Sequence, residues 1–288
     1  MRRILFVLGA ASLSISLFGT DFGLAVDLSN LILSPERKKS DTEVTGTDYL
    51  YGVSLFGSTD VSEELSIEGG VEYDPILRYI AYSSLTYRIE NFQLSAGPYF
   101  GVFNDWETLL KPGISTAIRL DIPGLIFARL EADSSIGGRL IKKGDYLQEN
   151  SLVGVGFYVP NAICETSLET KTYTEKTNSG EQVNELTTYA FTTDIFQKNR
   201  PYRIELKFAY QTQVLSFIET AATVEHTLNS LVLGTKLDYQ TSGAIGFFID
   251  LDSTVYTFGD VEDTFMELPE SGLGSYLFSL KTGVTYSL

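Results

Sequence analysis

The stretch "YRIELKFAYQTQV", residues 202–214, constrains the fold more than any other feature of this chain. Tyr202, Ile204, Leu206, Phe208 and Tyr210 are apolar or aromatic, while Arg203, Glu205, Lys207 and Gln211 between them are charged or polar. Successive side chains on a strand point to opposite faces, so this segment presents one apolar face and one charged face. The pattern recurs. "GISTAIRLDI" sets Ile114, Ile118, Leu120 and Ile122 against Ser115, Ala117, Arg119 and Asp121. "LSIEGGVEY" and "IGFFIDLDS" alternate in the same way, and no stretch past residue 19 reads as an amphipathic helix of useful length.

Strand composition, rich in Tyr, Phe, Val, Ile and Thr, predicts fourteen strands. They fall near 21–33, 49–58, 64–73, 79–90, 92–103, 112–122, 124–136, 150–160, 162–176, 184–197, 202–216, 229–240, 243–257 and 274–288. The register of 217–229 is ambiguous, and a twelve-stranded reading of 217–240 is the alternative. Links after odd strands read as long: 34–48, 74–78, 104–111, 137–149, 177–183, 217–228 and 258–273. Links after even strands read as short, as in "PG" at 123–124 and "PN" at 160–161. Short turns at one end and long loops at the other are the layout of a transmembrane barrel.

In water, fourteen two-faced strands need a second layer, and the chain has no helices to supply one. A solid sandwich core would have to bury Arg88, Arg119, Arg129, Glu131, Lys171, Glu205, Lys207 and Lys281. A closed barrel with lipid outside and water inside satisfies both faces and leaves no strand edge. The expected fold is therefore all-β: an antiparallel up-and-down transmembrane barrel with no plug domain. Fourteen spans of ~9–11 residues use roughly 150 residues and leave about nine per connection, too few for a plug.

"MRRILFVLGAASLSISLFG" pairs Arg2 and Arg3 with an apolar run from Ile4 to Phe18 and a small Gly19. This is the layout of a secretory signal peptide, so residues 1–19 are expected to be removed and 20–288 to form the barrel. Acidic residues number 37 against 21 basic, for a formal net charge of −16, so there is no basic surface for nucleic acid. Cys164 is alone and reads as a small apolar residue in the wall.

The chain ends "SYLFSLKTGVTYSL", with Tyr276, Phe278, Leu280, Val284, Tyr286 and Leu288 on one parity. This strand resembles the terminal strand of bacterial outer-membrane β-barrel proteins, with Leu288 where family members commonly carry Phe. The size and strand number resemble the monomeric fourteen-stranded porins. The resemblance implies a bacterial outer-membrane location and outer-membrane lipid as the surrounding partner. It also implies docking of the C-terminal strand on the barrel assembly machinery.

With no mass for a plug, the interior reads as a water-filled pore for small hydrophilic solutes. Its expected lining comprises Glu68, Glu72, Arg88, Arg119, Asp121, Arg129, Glu131, Asp133, Glu169, Lys171, Arg203, Glu205, Lys207, Lys236, Asp238, Asp250, Asp252 and Lys281. Asp27 and Glu165 share that parity, giving twelve acids against eight bases and a weak cation preference. The bland alternative is a set of cross-strand salt-bridge ladders that stiffen the wall. Tyr49, Tyr51, Tyr73, Tyr79, Tyr87, Tyr173, Tyr189, Tyr202, Tyr239 and Tyr276 fall near strand ends, as an interfacial girdle requires. "NDWETLLK" at 104–111, with Trp106, Leu109 and Leu110, is a loop that either packs into the mouth or caps its neighbours.

No enzyme is expected. His226, the lone histidine, sits in an expected outer connection with no Ser-containing signature nearby. Asp260, Glu262 and Asp263 lack the spacing of a calcium loop, so neither a metal nor a cofactor is expected. Two competing functions remain. One is a hydrophobic-solute transporter similar to the fourteen-stranded fatty-acid transporters, whose N-terminal hatch has no counterpart here. The other is a closed structural or adhesive surface barrel.

Overall fold

A computed structural model describes residues 21–29, 50–74, 78–102, 111–135, 145–176, 180–197, 200–219, 223–241, 243–258 and 278–287. Fourteen strands close into one antiparallel barrel: β1 (Asp21–Ser29), β2 (Leu50–Asp60), β3 (Leu65–Asp74), β4 (Arg78–Ile89), β5 (Phe92–Val102), β6 (Lys111–Ile122), β7 (Ile126–Ser135), β8 (Tyr146–Val159), β9 (Ala162–Lys176), β10 (Gly180–Phe196), β11 (Tyr202–Glu219), β12 (Thr223–Gln240), β13 (Ile245–Phe258) and β14 (Phe278–Tyr286). Each strand pairs with its neighbours in sequence, and β1 pairs with β14 from Phe22↔Tyr286 to Ser29↔Ser279. The twelve-stranded alternative is thereby excluded. Closure removes every free edge along the paired length, which is how a sheet meets its backbone hydrogen bonds without water.

Parity decides what each side chain meets. On β11 Tyr202, Phe208 and Tyr210 are exposed on the outer surface, and Phe208 keeps 57% of its area accessible. The same outer face carries Leu24 and Val26 on β1, Leu130 on β7, Val153 and Val155 on β8, and Phe247 and Ile249 on β13. So much exposed apolar surface on one continuous face is unsuited to water and suited to hydrocarbon. Tyr51, Tyr87, Tyr189, Tyr202 and Tyr239 lie on that face, joined by Tyr210 and Tyr286. Two expected girdle tyrosines do not. Tyr173 is buried inside against Tyr146, with ring centroids 5.6 Å apart. The Tyr73 ring lies where a side chain at interior Gly52 would be, because regular β2–β3 pairing stops at Leu55↔Val71. Beyond that point the Tyr73 backbone N–H donates to the Ser54 hydroxyl at 3.0 Å instead.

Strand lengths also depart from expectation. β10, β11 and β12 run 17, 18 and 18 residues, well beyond the ~9–11 a bilayer span requires. Two connections expected to be long therefore shrink to 177–179 and 220–222. His226 is a backbone member of β12, paired with Leu215, and not part of a loop. The expected signal segment 1–19, Tyr49, Tyr276 and Leu288 lie outside the described residues. So do Trp106, Leu109, Leu110, Asp260, Glu262 and Asp263.

Candidate functional site: the barrel interior

Strand register places all eighteen expected lining residues on the interior parity, with Asp27 and Glu165 beside them. Register then brings opposite charges together. Arg88 bonds Asp60 at 3.3 Å, Lys171 bonds Glu169 at 3.1 Å and Lys236 approaches Asp238 at 3.9 Å. Arg119 donates to Asp121 at 3.0 Å, and the Tyr158 hydroxyl donates to the same carboxylate at 2.6 Å. Arg203 is paired with Asp194.

Three pairs reach across an intervening strand. Arg129 on β7 bonds Glu165 on β9 at 2.7 Å, passing over Gly154 of β8, while its other arm takes Glu131 at 2.8 Å. Lys207 on β11 bonds Asp252 on β13 at 2.8 Å, passing over Gly234 of β12. In both places a Cβ on the glycine would collide with the carboxylate, so the missing side chain lets the ion pair lie flat on the wall. Lys281 on β14 reaches furthest, crossing β1 and β2 to Glu72 at 3.0 Å and covering the Phe56 ring on the way. Each of the eight bases expected to line the interior thus has a carboxylate within 4 Å.

The acids are not so matched. Asp27, Glu68, Asp133, Glu205 and Asp250 have no ion-pair partner among the described residues, although Ser54 donates to Asp27 at 2.6 Å and Gln148 to Asp133 at 3.3 Å. Sequence parity missed several interior acids, Asp21 at the first position of β1 among them. Asp194 shares the parity of Thr192 and Ala190, and carrying that alternation to the end of β10 finds it. Asp60 and Glu175 stand at strand ends, where alternation has no neighbour on one side to define it.

Aromatic rings fill part of the bore. Phe56 and Phe248 extend over the small residues Gly23 and Gly283 beside the β1–β14 seam and meet with centroids 6.1 Å apart. At the end carrying the longer loops, Ile80 of β4 packs on the Tyr146–Tyr173 pair of β8 and β9. At that mouth the contact joins β4 to strands four and five places along the wall. Below it, on the β2–β7 side, lies an interior cavity of ≈ 390 Å³ lined by Glu68, Thr86, Arg88, Gln93, Ser95 and Asp133 among others.

The sequence matches no protein-family model and no curated protein. Solved structures of similar fold include a Vibrio cholerae outer membrane protein, OmpT without loop L8. It is 8% identical, with TM-score 0.48, and the match covers 93% of this chain and 97% of that one. The anion-selective porin from Comamonas acidovorans is 12% identical with TM-score 0.39, covering 93% and 99%. LpxR from Salmonella typhimurium is 10% identical with TM-score 0.39, covering 93% and 100%. At these scores the likenesses carry no argument about activity. The closed ladder of fourteen strands defines the fold by itself.

Proposed function

We propose that this barrel sits in a bacterial outer membrane and conducts small hydrophilic solutes, with a mild preference for cations. The outer apolar band supports the location, because hydrocarbon is the solvent that such a face satisfies. The interior supports the conduction: its charged side chains keep water access, with Glu131 42% and Lys171 49% exposed. The observation that carries the ion preference is the asymmetry of pairing. The eight interior bases Arg88, Arg119, Arg129, Lys171, Arg203, Lys207, Lys236 and Lys281 are neutralised at close range, and carboxylates left over contribute the residual field. In a wet lumen that field is screened over ~8 Å, so the preference is mild rather than absolute.

Reversal potential across a planar bilayer separating unequal KCl concentrations tests the reading. A potential of the sign set by K⁺ permeation is expected, and one set by Cl⁻ would overturn it. A second reading has its own support. The long strands β10–β12 form a rigid wall beyond any bilayer span, which suits a closed surface barrel that contacts a partner. Liposome swelling separates the two: a channel admits small sugars, and a closed barrel admits none.

A further inference from the structure

The β2–β7 wall carries a furrow whose floor can be read along one register row. Asp60 pairs with Ser66, Ser66 with Thr86, Thr86 with Ser95, Ser95 with Ala117, and Ala117 with Glu131. Six interior positions on six successive strands thus lie side by side, ~4.8 Å apart. The four in the middle are small and the two at the ends are acids. One neighbouring row is also mostly small, with Ser84, Gly97 and Ser115 between Glu68 and Asp133, so the depression is two rows wide and the long Arg88, Gln93 and Arg119 side chains bound its other side. The cavity of ≈ 390 Å³ is the space so enclosed. That volume is at the lower end of the range typical of small-molecule sites, ~300–1,000 Å³.

Several polar groups lining this cavity have no bonded partner among the described residues. Ser66 is only 8% exposed, lines the cavity, and makes no hydrogen bond within the described residues. Gln93 and Ser115 line it and are likewise unbonded, and Glu68 has neither a hydrogen bond nor an ion pair there. Thr86 and Ser95 bond each other at 2.8 Å, leaving further lone pairs on the floor. None of these side-chain atoms is a fully buried orphan, so each is open to bond water or a solute that enters the cavity. The charge is one-sided as well. Asp60 holds Arg88 and Arg129 holds Glu131, which leaves Glu68 and Asp133 facing the cavity without an ion-pair partner among the described residues.

We propose that this furrow is a binding subsite for a small organic cation that also carries hydroxyl groups, taken from solution on its way through the barrel. Glu68 receives the ammonium group through a charge-assisted hydrogen bond, and Ser66, Gln93 and Ser115 bond the hydroxyls. The inference rests on the interior being open to solute. It adds a saturable site to what would otherwise be featureless diffusion.

The test is calorimetric titration of the refolded, detergent-solubilised full chain with D-glucosamine, with glucose and ethylammonium as partial probes. Saturable binding of glucosamine, stronger than either partial probe, is expected. Glu68→Gln should weaken it by about tenfold, a factor that corresponds to ~1.4 kcal/mol, and Ser66→Ala by a smaller factor. Glu205→Gln removes the same charge elsewhere in the lumen and should leave binding within about twofold. Absence of saturable binding to the wild-type chain overturns the site. Equal weakening by Glu68→Gln and Glu205→Gln also overturns it, since that is general attraction by the lumen. Conductance without binding would remove the subsite and leave the channel, whereas binding without conductance would keep the subsite and remove the channel.

Discussion

The two sides of the barrel differ in height. Strands β2–β7 are 10–12 residues long, close to what a tilted bilayer span takes. Strands β10–β12 overshoot, and their outer face shows where hydrocarbon would end. Tyr189, Tyr210 and Leu231 form one outward row, and the next row up is Thr187, Thr212 and Asn229. Above the Tyr189–Tyr210–Leu231 row stand segments 180–188, 211–219 and 223–230, which at ~3.3 Å per residue and a ~40° tilt project roughly 20 Å. The short side is shaped by its lipid solvent alone. The tall side continues as a sheet in water, held by pairing and not by an apolar outer face.

The sharpest way to break this comparison is to place a charge at two heights on one strand. Phe208→Arg puts it in the apolar band and should cost about 2–4 kcal/mol of folding free energy in lipid, whereas Val214→Arg, above the polar row, should cost about 0–1. Equal costs, measured by denaturant titration in vesicles, would place the bilayer boundary elsewhere. A second test concerns the inner wall. Gly154→Ala and Gly234→Ala force a methyl group under the Arg129–Glu165 and Lys207–Asp252 pairs, and each should destabilise by about 1–3 kcal/mol. The same titration reads this out, and a neutral result would show that the pairs move aside freely. The smallest effect belongs to the tall side. Thr212→Ala loses the 2.9 Å bond to Asn229 and should cost about 0.5–1.5 kcal/mol, read as faster amide exchange above the Tyr210 row than below it.

Legibility in the sequence followed the same division. Within the apolar band, alternation has amplitude, so the paired faces of 202–210 and 114–122 gave strand, parity and lining residues together. In "GEQV", residues 180–183, both faces are mixed, and alternation could not show that β10 had already begun before 184. The opening turn of β12, with His226, escaped for the same reason. Ion pairs across an intervening strand were invisible because they need register and, for Arg129–Glu165 and Lys207–Asp252, an interior glycine on the strand between, which one strand alone does not show. Tyr73 and Tyr173 lay at the sequence depth of girdle residues. The first ring fills the space over Gly52 where β2–β3 pairing has ended, and Tyr146 and Ile80 hold the second inside.

The central claim is that two different solvents meet the two faces of one ribbon. Single-cysteine spin labels at 204 through 209, one at a time in Cys164→Ser background and reconstituted in lipid vesicles, test it directly. Labels at 204, 206 and 208 should be relaxed mainly by dissolved oxygen, and those at 205, 207 and 209 by a water-soluble nickel chelate. Uniform accessibility along the strand, or interior labels that neither agent reaches, would contradict the account.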